Sequence, residues 1–323
     1  MSPFVSAFKQ SLEAMLAYRE ALGFSRRTYE YSLIHFDRFC AVCYPGAKNL
    51  TQEMALKWIE EQMAKKTSNI TENATAIRLF GKYLSATGNP AYILPKKYVS
   101  RPGPRIATPY IFTDAELSAL FRAADILIAE SPAPEIVPVL FRLIYTCGLR
   151  PNEGRELKRA NMNFNTGEIL ITKTKRKKER TVVMSDDMLK LCKTFDTRRR
   201  IFARDSGYFF PARDGGVYTA GQLDSLFKKC WVLANPQTDI SELPKVRVYN
   251  LRHRFASTVL NRWLDEGQNL YVMLPYLKVY MGHDRFSDTA YYIHLLPENL
   301  TKSTGIDWAV FDGLLPEVSV WPE

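Results

Sequence analysis

Residues 136–153 read IVPVLFRLIYTCGLRPNE, an apolar run that turns abruptly polar. The run holds a single charge before position 150, so it predicts a buried helix from Ile136 to Cys147. Gly148 ends that helix, and Arg150 begins another turn at the edge of a loop. Glu153 follows three residues later, where its carboxylate can hydrogen-bond and orient a neighbour. The stretch therefore predicts a hydrophobic core with an arginine at its border.

The segments around this stretch predict a unit that mixes helices with one hairpin. Thr113-Asp114-Ala115-Glu116 has the capping pattern of a helix N-terminus. Glu168–Thr172 and Arg180–Met184 predict two short strands, and six lysines and arginines among residues 173–180 lie at or beside their tip. Further helices are predicted at roughly 186–204, 220–234, 250–264 and 287–295.

The N-terminal part predicts a bundle of four helices. Apolar residues recur at every third or fourth place in four segments, roughly 8–22, 27–44, 51–64 and 73–84. Residues 95–108 then bring three prolines and four basic residues without any acid: Lys96, Lys97, Arg101 and Arg105. A basic linker suits a segment that crosses a phosphate backbone. We predict a helical domain over 1–94, a linker over 95–108 and a second domain over 109–323, in a mainly α fold with a small β-sheet.

The bulk properties indicate a partner of opposite charge. The 323 residues carry a formal net charge of +10, which suits a polyanion such as nucleic acid. The chain shows neither the pattern of a signal peptide nor the roughly 20 apolar residues of a membrane span. Five cysteines, an odd number, predict reduced thiols in the cytoplasm. Cys40 and Cys43 form a C-x-x-C pair without a second pair, so we predict two core cysteines and no metal site.

Three further segments hold unusual groups of polar residues. The first is the hairpin, with Lys173, Lys175, Arg176, Lys177, Lys178 and Arg180. The second is Tyr249-Asn250-Leu251-Arg252-His253, and the third is Gly282-His283 ahead of Tyr291-Tyr292-Ile293-His294. Each is a weak signal by itself, whereas their order and spacing along the chain are informative.

In this order the segments resemble the motifs of the tyrosine recombinases, also called the phage-integrase family. The matching pieces are Gly148-Leu149-Arg150 with Glu153, the hairpin from Lys175 to Arg180, Leu251-Arg252-His253, Gly282-His283, and Thr289-x-x-Tyr292-x-His294. His283 and Tyr292 are nine residues apart, the separation expected in that family. The resemblance covers essentially the whole chain. It implies a helical, SAM-like core-binding domain followed by an α+β catalytic domain.

The resemblance implies a site that cuts DNA without a metal or a cofactor. Tyr292 would attack the phosphorus and form a 3′-phosphotyrosyl bond. Arg150 and Arg252 would hold the non-bridging oxygens, since guanidinium groups match that geometry. The covalent bond keeps the energy of the broken linkage, so rejoining needs no ATP.

Two assignments in this site have alternatives. Lys175 of the hairpin would protonate the leaving oxygen, and Lys173 is the alternative because the tip can hold an extra residue. Tyr291 is the rival nucleophile. It lies about 100° around a helix from Tyr292, so only one of the two can face the phosphate. The spacing from His283 favours Tyr292, and His283 itself would hydrogen-bond the phosphate or assist proton transfer.

One departure from the family pattern affects the chemistry. Tyr249 stands three residues before Arg252, where the family usually has a histidine. A phenol with a pKa of about 10 is a poor base near neutral pH, although it can donate a hydrogen bond to a phosphate. The proton acceptor for Tyr292 is therefore open. We assign His253, like Glu153, a supporting and structural role.

Two stretches near the end of the chain are predicted to pack through apolar side chains. Residues 261–281 look longer than usual for the family, and Tyr276 and Tyr280 are assigned to the core. The tail, residues 301–323, offers an apolar face formed by Ile306, Trp308, Phe311, Leu314 and Leu315. In the family such a tail often packs on a neighbouring protomer, so packing in cis and in trans both stay open.

The resemblance also implies partners. Double-stranded DNA recombination sites would be bound as a homo-oligomer, four protomers on paired sites, with phosphate contacts from the linker and from Arg176, Lys177 and Lys178. The biological role would be integration or excision of a mobile element, or resolution of a replicon. Two rival functions remain. One is a type IB topoisomerase-like nicking-closing enzyme, and the other is a non-catalytic DNA-binding regulator on the same fold.

Overall fold

A computed structural model of the chain describes residues 2–65, 69–98, 109–129, 136–172, 179–202 and 206–295. The chain forms two compact units, Met1–Ile106 and Ala107–Glu323. The division falls inside the predicted linker, whose own bounds stay a prediction. Both units are mainly helical, and the described residues contain one two-stranded sheet. The predicted fold class is therefore confirmed.

The N-terminal unit is built from four helices around an aromatic core. They are α1 (Lys9–Ala21), α2 (Arg27–Cys43), α3 (Gln52–Ala64) and α4 (Ile70–Ala86), followed by a 3₁₀ turn at Lys96–Tyr98. All four predicted helices are present, and the last begins at Ile70 instead of Asn73. The ring of Phe36 lies 5.9 Å from that of Trp58, centroid to centroid. Buried rings of this kind dominate core energetics.

The two cysteines of the C-x-x-C pair have different environments. Cys40 is fully buried in the core, whereas Cys43 is exposed. The prediction of two core cysteines is wrong for Cys43, because α2 ends there and its last residues extend beyond the packed face. Among the described residues, no group of three or more histidine, cysteine, aspartate or glutamate side chains is placed to hold a metal ion. None of the helices in that part of the chain has the length and hydropathy needed to cross a membrane.

The C-terminal unit arranges its helices around a hairpin. Its elements are α5 (Asp114–Ala129), α6 (Ile136–Thr146), α7 (Pro151–Arg155), β1 (Glu168–Ile171), β2 (Arg180–Val183), α8 (Asp186–Phe202), α9 (Ala220–Ala234), α10 (Tyr249–Asp265), α11 (Leu270–Met281) and α12 (Ser287–Ala290), with a 3₁₀ turn at Tyr291–Leu295. The two strands are antiparallel, with Ile169 opposite Val182. Both side chains are buried, which fixes the register of the hairpin.

Helix α6 lies in the core of this unit, as the sequence predicts. Leu140, Phe141 and Ile144 are fully buried. The helix ends before Gly148, whose φ of 59° is left-handed, and a Cβ there would collide with the ring of Phe255 on α10. This close approach holds the end of α6 against α10, and therefore holds the segments that follow α6 beside the start of α10.

Helix α11 forms a second core with α10 and α12. Its residues Leu270, Leu274 and Leu277 are buried at helical spacing. Tyr276 lies on the opposite face and is 67% exposed, so its assignment to the core is wrong. Tyr280 is partly buried and packs against both cores of the unit. The stretch that the sequence described only as packing surface is thus a helix, and its C-terminal end reaches the candidate site.

Candidate active site

The ends of four helices meet at a single cluster. Arg150 follows α6, Arg252 lies in the first turn of α10, His283 follows α11, and Tyr292 lies in the 3₁₀ turn after α12. These four residues were predicted from separate segments, and the structure brings them together.

Arg252 joins the ends of two helices. Its guanidinium donates hydrogen bonds to the Gly148 carbonyl at 2.6 Å and to the Met281 carbonyl at 2.7 Å. Carbonyls at the C-terminal end of a helix carry partial negative charge, which favours a cation at this place. Arg252 is fully buried, and burial is the main reason that its pKa lies below the usual value for arginine. A rigid cation therefore lies between the ends of α6 and α11.

Arg150 is fixed on one side and open on the other. Its backbone N–H donates to Oε2 of Glu153 and its guanidinium to Oε1, both at 2.8 Å. A second guanidinium nitrogen donates to the Gly282 carbonyl at 2.6 Å. The side chain remains 31% exposed. Arg150 thus presents an oriented guanidinium to solvent, and Glu153 orients it as predicted.

Glu153 is shared by two arginines. Arg180 of β2 donates to its two carboxylate oxygens at 2.9 and 2.7 Å, and the two side chains are only 8% and 7% exposed. Burial alone would raise the pKa of Glu153, but the hydrogen bonds and charge of Arg180, together with the bonds from Arg150, hold it at about 2. The carboxylate is therefore ionised at any ordinary pH.

Arg180 also reaches α11, which the sequence did not indicate. Its Nε donates to the Tyr280 carbonyl at 2.8 Å. Gly282 has a φ of 66°, and a Cβ at this glycine would lie 3.1 Å from a guanidinium nitrogen of Arg180. The sequence placed Arg180 only among the basic residues of the hairpin. The available signal was Glu153, which needs a second cation once it is buried. Its burial and its pairing with Arg180 are visible only in the folded structure.

His283 is held in one tautomer. Its Nε2 lies 3.0 Å from a guanidinium nitrogen of Arg252, and its Nδ1 lies 2.8 Å from Oγ1 of the fully buried Thr289. Because arginine only donates, Nε2 accepts, and the ring proton resides on Nδ1 and is donated to Thr289. Burial first, and then the charges of Arg252, Arg150 and Arg180, lower the pKa of His283 to about 3.

Tyr292 is buried against two histidines. The side chain is 2% exposed, and its ring stacks on that of His283 with 6.0 Å between centroids. Its hydroxyl lies 3.1 Å from Nδ1 of His253. Burial raises the pKa of Tyr292 above its usual value, and the charge of Arg252 partly opposes this. His253, assigned a structural role from the sequence, is therefore in direct contact with the candidate nucleophile.

Tyr249 and Tyr291 lie beside this pair. The ring of Tyr249 meets that of His253 edge-on at 4.9 Å, and its side chain is partly exposed. The ring of Tyr291 lies 6.1 Å from that of Tyr292. The hydroxyl that contacts His253 belongs to Tyr292, which favours Tyr292 over Tyr291 as the reactive group.

A cleft of about 770 Å³ opens beside the cluster. Arg150, Tyr249 and His283 line it. Thr172 and Glu179 also line it, and these are the described residues on either side of 173–178. The predicted hairpin residues Lys173, Lys175, Arg176, Lys177 and Lys178 lie outside the described residues, as do Arg101, Arg105 and the tail. Lys96 and Lys97 are described and are exposed in the 3₁₀ turn of the N-terminal unit.

Comparison with known proteins is consistent with this geometry. Residues 111–299 match the model of the phage integrase family. The chain is 28% identical over 308 residues to y4rB of Sinorhizobium fredii, whose name classes it with integrases and recombinases, and the match covers 93% of this chain and 96% of the relative. It is 25% identical over 312 residues to tyrosine recombinase XerD of Rhizobium meliloti, with 92% of each chain covered.

Among solved structures, the XerH site-specific recombinase bound to palindromic difH substrate has a similar fold. The TM-score is 0.62 at 19% identity, and the match covers 88% of this chain and 80% of that one. At this identity the likeness shows the fold alone. The assignment of the chain to a family rests on the family model, whose match spans more than half of the chain.

Proposed function

The chain belongs to the phage integrase family, the tyrosine recombinases, and from this premise we propose that it is a site-specific DNA recombinase that cuts and rejoins DNA through Tyr292. One observation carries the proposal. The hydroxyl of Tyr292 lies in the same cluster as Arg252 and His283, beside a cleft that Arg150 lines. A nucleophile beside fixed guanidinium groups suits phosphodiester cleavage, because the cations offset the charge that develops on the phosphate oxygens.

The two arginines offset the negative charge of the proposed substrate. A phosphodiester is negative and repels nucleophiles, and its transition state spreads charge over the oxygens. Arg150 and Arg252 are already oriented by Glu153 and by helix-end carbonyls, so little reorganisation is needed when charge develops. Removal of one such preorganised donor typically costs about 3 kcal/mol of transition-state stabilisation. We assign both guanidinium groups to the non-bridging oxygens, with a further hydrogen bond from Tyr249, and we assign His283 to the positioning of Arg252.

The reaction exchanges one ester for another. Oη of Tyr292 forms a bond to phosphorus while the bond from phosphorus to the 5′ oxygen breaks, leaving a 3′-phosphotyrosyl adduct and a 5′ hydroxyl. We assign protonation of the leaving oxygen to Lys175, with Lys173 as the alternative. The adduct keeps the energy of the original ester, so a 5′ hydroxyl can attack it in reverse. Neither ATP nor a metal ion enters this scheme.

Double-stranded DNA is the proposed partner. The net charge of +10 suits it, and exposed Lys96 and Lys97 follow the helices of the N-terminal unit. When phosphate contacts supply most of the affinity, binding weakens steeply with salt concentration. Exchange of strands between two sites needs several active sites at once, and we propose an assembly of four protomers.

A nicked DNA substrate tests the proposal. DNA from the ends of the genetic element that encodes the chain is nicked near the cleavage point, so a short 5′-hydroxyl fragment diffuses away and rejoining stops. The reaction is run in EDTA with the wild type and with Tyr292→Phe. We expect a denaturation-resistant protein–DNA band from the wild type and none from the variant. A DNA that is bound tightly yet yields no adduct would show the protein to be a non-catalytic binder.

A further inference from the structure

We propose that His253 is the proton acceptor that activates Tyr292, an inference that rests on the proposed function. The tyrosine must lose its proton as its oxygen bonds to phosphorus, and a general base has to lie within hydrogen-bond reach of that proton. Nδ1 of His253 lies 3.1 Å from the hydroxyl of Tyr292. The distance meets this requirement without movement of either side chain.

Helix α10 supplies both the charge and the base. Arg252 and His253 are adjacent in its first turn, and both act on Tyr292: the guanidinium lowers the pKa of the phenol, and the imidazole contacts its hydroxyl. Tyr249 lies one helical turn earlier, with its ring against His253. Position 249, where the family usually has a histidine, holds a tyrosine in this chain. The imidazole that faces the candidate nucleophile belongs to His253 instead.

The alternative acceptors are less suitable. His283 already accepts a hydrogen bond from Arg252 at Nε2 and donates from Nδ1 to Thr289, so neither nitrogen is directed to the phenol as an acceptor. Tyr249 has a phenol like the one that it would have to deprotonate. Of the groups described around the hydroxyl of Tyr292, His253 is the one that presents a ring nitrogen to it.

The ionisation of His253 is compatible with this role. Burial, and then the charge of Arg252, lower its pKa to about 4, so the imidazole is neutral and can accept a proton at neutral pH. The titratable and charged groups that face it are Arg252 and Tyr249 on its own helix, with His283 and Tyr292 from the segments after α11 and α12. A bound phosphate would offset the charge of Arg252 and make His253 more basic.

The proton balance is complete. During cleavage the proton of Tyr292 passes to Nδ1 of His253 as the bond to phosphorus forms, and the lysine assigned above gives a proton to the departing 5′ oxygen. During rejoining the 5′ hydroxyl attacks and gives its proton back to the now neutral lysine, the tyrosine oxygen leaves, and the imidazolium of His253 returns a proton to that oxygen. No oxidant, reductant or added reactant is required.

The test uses His253→Gln, because glutamine can still hydrogen-bond to the phenol but cannot take its proton. Adduct formation on the nicked substrate is followed in a single turnover with saturating protein, between pH 6 and 9. We expect the wild-type rate to change little over this range. We expect His253→Gln to be about 100-fold slower or more, and to gain about tenfold in rate per pH unit as hydroxide replaces the base.

Two further variants separate a base from a structural contact. His253→Ala leaves space for a free imidazole, so added imidazole should restore part of its rate. Tyr249→Phe should lower the rate through loss of a phosphate hydrogen bond without changing the pH dependence. Melting temperature and DNA affinity are measured for each variant. Rescue by imidazole in the folded fraction distinguishes a base from a structural contact even where a variant is less stable.

The outcomes are distinct. A His253→Gln variant with the wild-type rate and pH profile would overturn the assignment, and so would one that is faster, which would mean that His253 restrains the tyrosine. An alanine variant that imidazole does not rescue would also contradict it. If the wild type itself gives no adduct on DNA that it binds, the proposed function fails instead, and the role of His253 fails with it.

Discussion

Arg180 and Glu153 form a buried bidentate ion pair that connects three parts of the C-terminal unit. The two nitrogen–oxygen distances are 2.9 and 2.7 Å. Glu153 also orients Arg150, and Arg180 also holds the carbonyl of Tyr280 near the end of α11. The hairpin, the segment after α6 and the end of α11 therefore share one set of hydrogen bonds.

Removal of Arg180 should destabilise the C-terminal unit strongly. In Arg180→Ala the carboxylate of Glu153 would be left buried with one partner fewer, and loss of one member of a buried pair costs about 3–5 kcal/mol. Urea unfolding measures this change in the free energy of unfolding. Arg262→Ala is the matched control, since the ion pair of Arg262 with Glu266, at the C-terminal end of α10, is exposed and should contribute no more than about 1 kcal/mol. Equal losses in the two variants would contradict this account of the ion pair.

Gly282 should tolerate no side chain. Its left-handed φ of 66° disfavours any other residue, and a Cβ would also press on Arg180 at 3.1 Å. Gly267 has a similar φ of 69°, but a Cβ at that glycine would meet nothing within 4 Å. Gly267→Ala should therefore cost about 1–2 kcal/mol of unfolding free energy, and Gly282→Ala should cost more and slow adduct formation. Unfolding curves that coincide for the two variants would show that the approach of Arg180 is not tight.

Acid should destabilise the C-terminal unit through its histidines. The pKa of His283 is about 3 when folded, against about 6.5 for an unperturbed histidine. Between these values the unfolded chain binds a proton that the folded chain does not. The stabilisation is complete above pH 6.5 and is lost as pH falls towards 3. Glu153, with a pKa of about 2, adds a further loss below pH 4.5.

Urea midpoints measured from pH 7.5 to pH 4.5 check this dependence. The wild-type midpoint should fall over that range, and His283→Gln should show a shallower fall because one depressed pKa is gone. A midpoint independent of pH, or the same slope in the variant, would contradict the inferred ionisation of His283.

Local patterns predicted much of the fold. The apolar run of α6, its stop at Gly148 and the two alternating strands are visible in short windows, because each depends on neighbours along the chain. Whether a residue on a helix faces the core or the solvent was harder to predict from the sequence. Tyr276 and Cys43 were assigned to cores, and both are exposed. Their positions depend on where α11 and α2 meet other helices, which the local pattern does not contain.

The site was predictable as a set of residues but not as a network. The contact of Arg150 with Gly282 spans 132 residues, that of Arg252 with Gly148 spans 104, and that of Arg180 with Tyr280 spans 100. Such contacts arise only when helix ends meet in the fold. For the same reason the sequence left the partner of Tyr292 open, and the structure places His253 against it.

Identification of the residue that becomes linked to DNA shows whether Tyr292 is the nucleophile. The adduct trapped on the nicked substrate is digested with protease and nuclease, and the peptide that retains a nucleotide is fragmented in a mass spectrometer. We expect a 3′-nucleotide on Tyr292, in the segment Tyr291-Tyr292-Ile293-His294. A nucleotide on Tyr291 or Tyr249, or cleavage of the substrate without any nucleotide-bearing peptide, would contradict it.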